Sequence, residues 1–191
     1  MMHAERQNFE GIRWMKMTDP SGAEAPSKVG SFLIWQQPHF IYMAELLYRN
    51  NPSPEVLEKY SYLVEETAKF MVSFVVYDEN ESRFILNGII PAQETLRAVE
   101  TINPPFELSY WHFGLSIAQQ WRERLGLERD PYWDEITEQL SELAFNSDGL
   151  YLASEDADDT YTDIRFTSDH PAVLGAYGMM PMSKLFREDY M

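Results

Sequence analysis

The sequence predicts an all-α fold of antiparallel helical hairpins, and the placement of prolines and apolar side chains carries the prediction. Five prolines stand where a helix would begin: Pro38, Pro54, Pro104, Pro131 and Pro171. Apolar side chains follow each of them at three- and four-residue spacing, which is the pattern of a helix with a buried face. Strand-like runs are short, at 83–86 and 149–152, and predict at most small ribbons within loops.

Composition restricts the class of protein. The 191 residues are 45% hydrophobic, enough to bury a substantial core, and we expect a single domain over 1–191. The net charge of −16 would repel nucleic acid and anionic membranes, so a neutral or cationic ligand is favoured. The lack of cysteine excludes disulfides, thiolate metal sites and a cysteine nucleophile. The sequence shows no secretion signal and no apolar run of about 18 residues, and the cellular location stays open.

The first two helices are predicted to form a hairpin. The first spans 38–50, and the second spans 54–77, starting from an N-cap at Ser53. Only residues 51–53 link them, and so short a link favours an antiparallel return of the chain.

The remaining helices follow from the same signals. Asn103 is a predicted N-cap for a third helix over 104–125, whose apolar residues surround most of its circumference, so we expect it to be buried. A fourth helix is predicted over 131–144 and a fifth over 171–180, and a sixth is expected after Pro181.

Three long irregular segments occupy 1–37, 78–103 and 145–170. Because each tight link returns the chain to the side from which it came, all three long segments are expected on one side of the helices. Loops longer than about 15 residues are seldom without a function, so a binding or catalytic site is expected on this side.

Glu94 is the candidate catalytic residue. It ends the stretch 87–94, in which Gly88 and Pro91 interrupt regular structure between two strongly helical regions. An ordinary surface loop has the same residue types, and Glu100 is a rival acid that spacing does not exclude.

The candidate ligand-binding residues lie in the long segments or beside a predicted helix start: Arg13, Trp14, Trp35, Gln36, Gln37, His39, Asn103, Asp169 and His170. Rings, amides and carboxyl groups in one cleft suit a neutral polyhydroxylated ligand, since sugar C–H faces stack on rings and hydroxyls bond to amides and acids. Structural roles are the alternative. Trp35 and Trp111 would then be core residues, His39 a helix-start histidine, and Asp169 an N-cap for the helix from Pro171.

No metal and no cofactor are expected. The acidic run 155–159 offers oxygen ligands of the kind that calcium takes, but it lacks the glycine and the twelve-residue pattern of an EF-hand, and a solvated acidic loop is the simpler interpretation. The four histidines lack helical zinc-site spacing, and neither a glycine-rich phosphate loop nor a Gly-x-Ser-x-Gly elbow occurs.

Several stretches of the sequence are similar to a known family: Gly11–Trp14 with Asp19–Glu24, Trp35–His39, Arg83–Glu94 with Asn103, and Asp169–Leu174. In turn they resemble an entry loop, a string found in uncharacterised gut-bacterial members, a Gly-Pro-Asp-Glu loop with its downstream Asn, and a Lys-Gln-Ala-Asp helix start. The family is that of the six-hairpin, (α/α)6-barrel glycosidases, most closely the clan of family sixty-five glycoside hydrolases and disaccharide phosphorylases.

This chain departs from the family pattern at the loop and at the helix start. One residue is inserted between Pro91 and Glu94, and the Asp of the loop is missing. Asp169 and His170 replace Lys and Gln, so substrate preference does not carry over from the family.

The resemblance implies a fold and an activity. The fold is part of an (α/α)6 toroid, and Glu94 takes the position of the general acid in an inverting, bacterial glycosidase that acts on a neutral oligosaccharide or glycoside. Family members also have an N-terminal β-sandwich and later barrel helices that supply the catalytic base or phosphate site. Neither is encoded here, which implies a fragment with weak or no activity alone.

Other outcomes of the resemblance stay open. The alternative function is a non-catalytic module that binds carbohydrate or docks on another subunit. Uncovered barrel helices imply a homo-oligomer. The sugar, its linkage, and the choice between hydrolysis and phosphorolysis are not determined by the sequence.

Overall fold

The computed structural model describes residues 2–181 and 183–186, and these residues are mostly helical. Seven α-helices occur among them: α1 Met2–Arg6, α2 His39–Asn50, α3 Pro54–Phe74, α4 Pro105–Arg124, α5 Pro131–Gln139, α6 Ile164–Thr167 and α7 Val173–Gly178. Two short strands, β1 Val76–Asp78 and β2 Arg83–Ile85, pair antiparallel, and a 3-10 turn spans Gly30–Phe32. The predicted all-α class is confirmed. None of these helices is long and apolar enough to cross a lipid bilayer.

The chain packs into two compact units. The helical unit contains the described parts of 1–14, 37–75 and 111–139. The loop unit contains the described parts of 15–36, 76–110 and 140–191. The three long segments were predicted to lie on one side of the helices. Most of their residues belong to the loop unit.

The helical unit has a core of large apolar side chains contributed by α2, α3 and α4. Trp111 and Trp121 on α4 are fully buried, and their indole groups bind the neighbouring helices. Trp111 Nε1 donates to the carbonyl oxygen of Met71 on α3 over 2.9 Å, and Trp121 Nε1 donates to Oε2 of Glu45 on α2 over 2.8 Å. Trp111 is therefore a core residue, which was the alternative to a ligand-binding role that the sequence offered.

A buried carboxylate links α2 to α4. Glu45 is 1% exposed and accepts hydrogen bonds from Arg49, Trp121 and Arg124. Burial alone would raise the pKa of Glu45, but the hydrogen bonds from Arg124, Arg49 and Trp121 outweigh it, and the pKa is lowered. The carboxylate is therefore ionised and paired at neutral pH.

Gly11 brings the N-terminal segment against α3. Its φ of +65° lies in the left-handed region, which residues with a Cβ atom rarely adopt. The next residue, Ile12, donates its N–H to the carbonyl oxygen of Glu66 over 2.9 Å, and a Cβ on Gly11 would lie 2.1 Å from the same oxygen. Only glycine fits so close an approach of two backbones.

Hydrogen bonds between distant parts of the sequence fix the loop unit. Ile90 N donates to the carbonyl oxygen of Phe32 over 3.1 Å, which joins the first and second long segments. Glu155 N donates to the carbonyl oxygen of Ile102 over 2.8 Å, which joins the second and third. Backbone N–H and C=O groups of these irregular segments thus find hydrogen-bond partners in other segments, as buried backbone groups require.

The starts of the five predicted helices agree with the structure within two residues, but the end of α3 differs. The sequence predicted an end near residue 77, and α3 ends at Phe74. Val76 and the two residues after it pair with β2, with Val76 opposite Ile85. Strand pairing with a later segment therefore takes the backbone groups that a longer helix would have used.

The end of α5 differs for a similar reason. The sequence predicted a helix to residue 144, and α5 ends at Gln139. Leu140 forms an isolated bridge with Phe84, and Ser141 N donates to the carbonyl oxygen of Phe84 over 3.0 Å. The chain after Gln139 is thus held extended beside β2.

The structure contains two short helices that the sequence did not predict. Helices α1 and α6, of five and four residues, fall within segments expected to be irregular. The α6 helix begins at an N-cap, Asp163, whose side chain accepts from Arg165 N over 2.7 Å. The predicted sixth helix after Pro181 lies largely outside the described residues, and 183–186 form a turn.

Candidate functional site

The candidate active site is the segment of the loop unit that carries Glu94. It follows β2, turns at Gly88 with a φ of +66°, and continues to Pro105, where α4 begins. Four consecutive residues, 92–95, each hydrogen-bond to a residue of the same unit that lies at least 15 positions away along the chain. Although it has no regular secondary structure, this stretch is anchored at every one of these residues.

Two anchors precede Glu94. Ala92 N donates to Oε1 of Glu107, in the first turn of α4, over 2.5 Å. Gln93 is buried, and its Nε2 donates to the carbonyl oxygen of Phe166 over 2.8 Å. A backbone N–H and a side-chain amide thus hold the two residues before Glu94 in place.

The other two anchors are at Glu94 and the residue after it. Lys16 Nζ donates to Oε1 of Glu94, and Thr95 N donates to Oδ2 of Asp169 over 2.9 Å. The Glu94 side chain keeps 35% of its surface exposed, so a ligand can reach the carboxyl group.

Glu107 is a carboxyl group completely buried beneath this loop. Its Oε1 accepts from Ala92 N, and within the described residues its Oε2 has no hydrogen-bond partner. Burial raises the pKa of Glu107 to about 7, against opposing contributions from the N–H groups of Ala92 and of Glu107 itself. A group that changes charge near neutral pH therefore holds the backbone two residues before Glu94.

Asp169 connects Thr95 to His170. Its Oδ1 accepts from the backbone N and ring Nδ1 of His170, over 2.7 and 2.6 Å. Burial alone would raise the pKa of Asp169, but the hydrogen bonds from His170 and Thr95 outweigh it and lower the pKa. Asp169 is not an N-cap, since α7 begins at Val173 and is preceded by Ala172 without a side-chain cap. The His170 side chain is 77% exposed and can meet a ligand.

Asn103 has a structural role in the loop unit. It has a φ of +51° and is not the residue immediately before α4, which begins at Pro105. Its Oδ1 accepts from Leu86 N over 2.8 Å, and its Nδ2 donates to Ser141 Oγ over 3.1 Å and Glu155 Oε2 over 2.7 Å. Asn103 is 1% exposed and its amide is engaged on both sides, so a ligand would have to displace one of these contacts.

The acidic run 155–159 begins with a paired residue. Glu155 binds Arg83 through both carboxylate oxygens, and this hydrogen bonding raises the pKa of Arg83. Burial, with the charges of Glu155 and Asp158, raises the pKa of Asp156. Among the described residues, no group of three acids or histidines is placed to hold a metal ion.

A cleft of about 320 Å³ opens beside Thr95 in the loop unit. Leu96 and Phe166 give it apolar surface, and its charged lining residues are Arg97, Glu100, Asp156, Asp159 and Arg165. Arg97 pairs with Glu100 over 2.8 Å, so charges of both signs stand side by side in the wall. The volume is at the lower end for small-molecule sites, and the mixed lining suits a neutral polar ligand.

Four predicted ligand-binding residues belong to the helical unit: Arg13, Trp14, Gln37 and His39. Gln37 is fully buried, accepting from Trp14 N over 2.8 Å and donating to the carbonyl oxygen of Trp14 over 2.6 Å. The Trp14 ring donates to Thr67 Oγ1 over 2.9 Å and lies 3.9 Å from the Phe40 ring, centroid to centroid. Burial lowers the pKa of His39, the first residue of α2. Gln37 thus fixes the position of Trp14.

The remaining candidates are mostly buried. Arg13 is buried in the helical unit and donates to Oε1 of Gln7. In the loop unit, Gln36 is buried and donates to the carbonyl oxygen of Leu33 over 3.2 Å, whereas Trp35 is partly exposed. The loop unit therefore contains six of the ten predicted site residues: Trp35, Gln36, Glu94, Asn103, Asp169 and His170.

Sequence reasoning missed Lys16 and Glu107. Glu107 carried a signal, because it is the only Asp, Glu, Lys or Arg between Pro105 and Trp121 in a helix that is apolar most of the way round. Lys16 carried none, since it lies in a polar segment and its partner is 78 positions away.

A solved structure described as "Putative kojibiose phosphorylase from human microbiome" has the same fold over most of this chain. The TM-score is 0.64 and the sequence identity 13%, with 83% of this chain and 25% of that chain covered. This chain thus spans about a quarter of that protein's length, and at this identity the likeness establishes the fold alone. It agrees with the predicted class, helical hairpins forming part of an (α/α)6 toroid. No protein-family model and no curated protein matches the sequence.

Proposed function

We propose that this chain acts on glycosidic bonds and that Glu94 is the general acid that protonates the leaving oxygen. The observation that carries the proposal is a partly exposed carboxyl on a backbone anchored at four consecutive residues. A general acid needs such a fixed position within reach of a ligand. The fold shared with a protein described as a putative kojibiose phosphorylase supports a carbohydrate substrate, and the net charge of −16 fits a neutral one.

The proposed step begins with the release of Glu94 from Lys16. The freed Glu94 carboxylate takes up a proton from solvent and donates it to the glycosidic oxygen, which keeps the electron pair of its bond to the anomeric carbon as that bond breaks. In an inverting reaction a nucleophile attacks the opposite face of the sugar, and the group that activates a water there stands roughly 6.5–9.5 Å from the acid. Phosphate would replace the water in a phosphorolysis.

Three acids of the loop unit are candidates for this second group, Glu100, Asp163 and Asp169, and each of them, like Glu94, would first have to leave a present partner. Glu100 pairs with Arg97 over 2.8 Å, and Asp163 pairs with Arg165 over 3.0 Å. Asp169 accepts from Thr95 and His170. We therefore expect weak turnover by this chain alone. The same observation favours the second candidate function, non-catalytic binding of a carbohydrate in the cleft beside Thr95.

Turnover and binding assays separate the two functions. Aryl glycosides and disaccharides are incubated with the chain, with and without inorganic phosphate, and binding of the same sugars is followed by calorimetry. For an enzyme, Glu94→Gln should lower any turnover by about 10²–10⁴-fold, the usual contribution of a general acid. Glu81→Gln, an exposed acid of the same unit, is the matched control and should leave the rate unchanged.

For a binding module, sugars should bind without turnover and Glu94→Gln should alter only the affinity. Failure of every sugar both to react and to bind would contradict both functions. A rate that is unchanged in Glu94→Gln would contradict the assignment of the acid.

A further inference from the structure

Glu107 is an acid in surroundings that do not suit one. It is completely buried in the first turn of α4, and no ion pair to it occurs within the described residues. Glu45, a buried acid of the helical unit, has two arginines and an indole N–H as partners. Within the described residues, the contacts of the Glu107 carboxyl are to backbone N–H groups, those of Ala92 and of Glu107 itself.

A carboxyl in this position is costly for stability. A buried polar atom without a partner destabilises the folded protein. A well-packed apolar side chain of similar size at the same position would give a more stable fold. Departures of this kind from what stability favours are expected at functional sites. A functional role for Glu107 would therefore lie in its contact with the loop that carries Glu94.

The four anchors of this loop differ in rigidity. Lys16 and Asp169 lie in stretches without a helix, and Phe166 belongs to the four-residue α6. Glu107 alone among the four belongs to a long helix, the 20-residue α4. Groups that have to be placed accurately are best supported by such rigid elements.

We propose that Glu107 is a positioning residue for Glu94, whose carboxyl holds Ala92 N–H against α4 and so sets where the Glu94 carboxyl stands. This inference rests on the proposed role of Glu94 as the general acid. Glu107 acts through the backbone and does not touch the substrate. Because burial raises the pKa of Glu107 to about 7, both the neutral and the ionised form of the acceptor are populated near neutral pH.

Other titratable groups do not obscure this behaviour. The titratable or charged side chains on residues 88–96 and on the partners of that loop are Lys16, Glu94, Arg165, Asp169 and His170. None of them is among the causes of the shift at Glu107, which are burial and two backbone N–H groups. Helix α7 packs on Phe106 through Gly175 and has no charged residue. The nearest titratable side chains along α4 are Tyr110 and His112.

The first test reads the contact without any activity. Amide resonances of the ¹⁵N-labelled chain are followed from pH 5.5 to 8.5, and the Ala92 resonance should move with a midpoint of about 7, the pKa of Glu107. Glu107→Gln keeps an oxygen acceptor but cannot ionise, so the Ala92 shift should stay in place and lose this titration. Glu107→Leu removes the acceptor, so the Ala92 and Glu94 resonances should move or broaden. Glu135→Gln, an exposed acid on α5, is the control and should titrate as the unaltered chain does.

The second test reads the consequence for catalysis on the aryl glycoside cleaved by the unaltered chain. Glu107→Leu should lower kcat by about 10–100-fold, the usual effect of misplacing a reacting group by about 1 Å, with KM nearly unchanged. Glu107→Gln should restore most of kcat and flatten its pH profile near 7.

The outcomes of the two tests are separable. An Ala92 amide that is identical in the unaltered chain and in Glu107→Leu would overturn the positioning role, even if Glu94 proves to be the acid. Should Glu107→Leu fail to fold, an Ala92 titration that persists in Glu107→Gln would overturn it equally. An unaltered chain that titrates at Ala92 but cleaves no glycoside would instead contradict the enzymatic function proposed for Glu94 and leave the contact established.

Discussion

Thr95 and Asp169 are hydrogen-bonded although 74 positions separate them, with Thr95 N donating to Asp169 Oδ2 over 2.9 Å. This bond joins the second and third long segments next to the candidate acid. It is an N–H bond to a carboxylate that is 15% exposed. Bonds to charged groups contribute more to stability than bonds between neutral ones.

Asp169→Ala should lower the free energy of unfolding at pH 7 by about 1–2 kcal/mol, a hydrogen bond to a charged group reduced for partial exposure. The folded pKa of Asp169 is lowered from 3.8, so the contribution is present above pH 3.8 and is lost as the pH falls through the folded value. Urea unfolding at pH 7 and at progressively lower pH measures the difference. Asp148→Ala, an exposed acid of the same unit, should change little at either pH.

The sequence predicted those parts of the fold that depend on neighbours along the chain. Pro54 and Pro131 mark the starts of α3 and α5 because proline fits the first turn of a helix. The ends of these helices at Phe74 and Gln139 were not predictable, because both depend on pairing with residues near Phe84 that are distant in sequence. Local periodicity continues through a point where tertiary pairing stops the helix.

The candidate site divides in the same way. Glu94 and Asp169 were expected near one another because long loops alternate with tight links, and the bond at Thr95 brings their segments together. Lys16 was not expected, because an ion pair across 78 positions leaves no pattern in the sequence. Glu107 stands out in the sequence as an acid in an apolar helix, but its bond to Ala92, 15 positions away, leaves no pattern in the sequence.

Glu45→Ala should lower the free energy of unfolding at pH 7 by about 3 kcal/mol, since removing one partner of a buried ion pair typically costs 3–5 and Arg49 can turn to water. The folded pKa of Glu45 is lowered from 4.5, so the stabilisation is present above pH 4.5 and is lost as the pH falls through the folded value. Chemical denaturation measures the difference. Glu58→Ala, an exposed acid on α3, is the control and should lie within about 0.5 kcal/mol of the unaltered chain. Equal effects of the two variants would contradict the buried pairing.

Gly11→Ala should destabilise the chain by about 2–4 kcal/mol, which combines the cost of a left-handed residue with a Cβ and the cost of forcing two backbones apart. The matched control is Gly126→Ala, in the same unit. Gly126 has a φ of +75°, but a Cβ there meets nothing within 4 Å, so only the conformational cost of about 1 kcal/mol applies. The difference between the two unfolding free energies measures the contact of the N-terminal segment with α3. A difference near zero would show that this contact does not form.

An exposed apolar face on α2 supports the expectation of self-association. Its residues are Tyr42, Met43, Leu46 and Leu47, with 39, 52, 45 and 45% of their surfaces exposed. They fall on one side of the helix, because residues three and four apart share a face. Contiguous apolar surface of this kind marks an interface more often than single exposed residues do. We propose a second copy of this chain as the occupant.

Light scattering over a range of concentrations should therefore report a mass approaching twice 22.4 kDa, in an equilibrium that dilution shifts toward the monomer. The double variant Met43→Glu, Leu46→Glu places charge on this face and should weaken association by at least about tenfold, or roughly 1.4 kcal/mol. Leu127→Glu, at an equally exposed leucine between α4 and α5, should leave association unchanged. A mass of 22.4 kDa at every concentration, or weakening by Leu127→Glu alone, would contradict an interface at this face of α2.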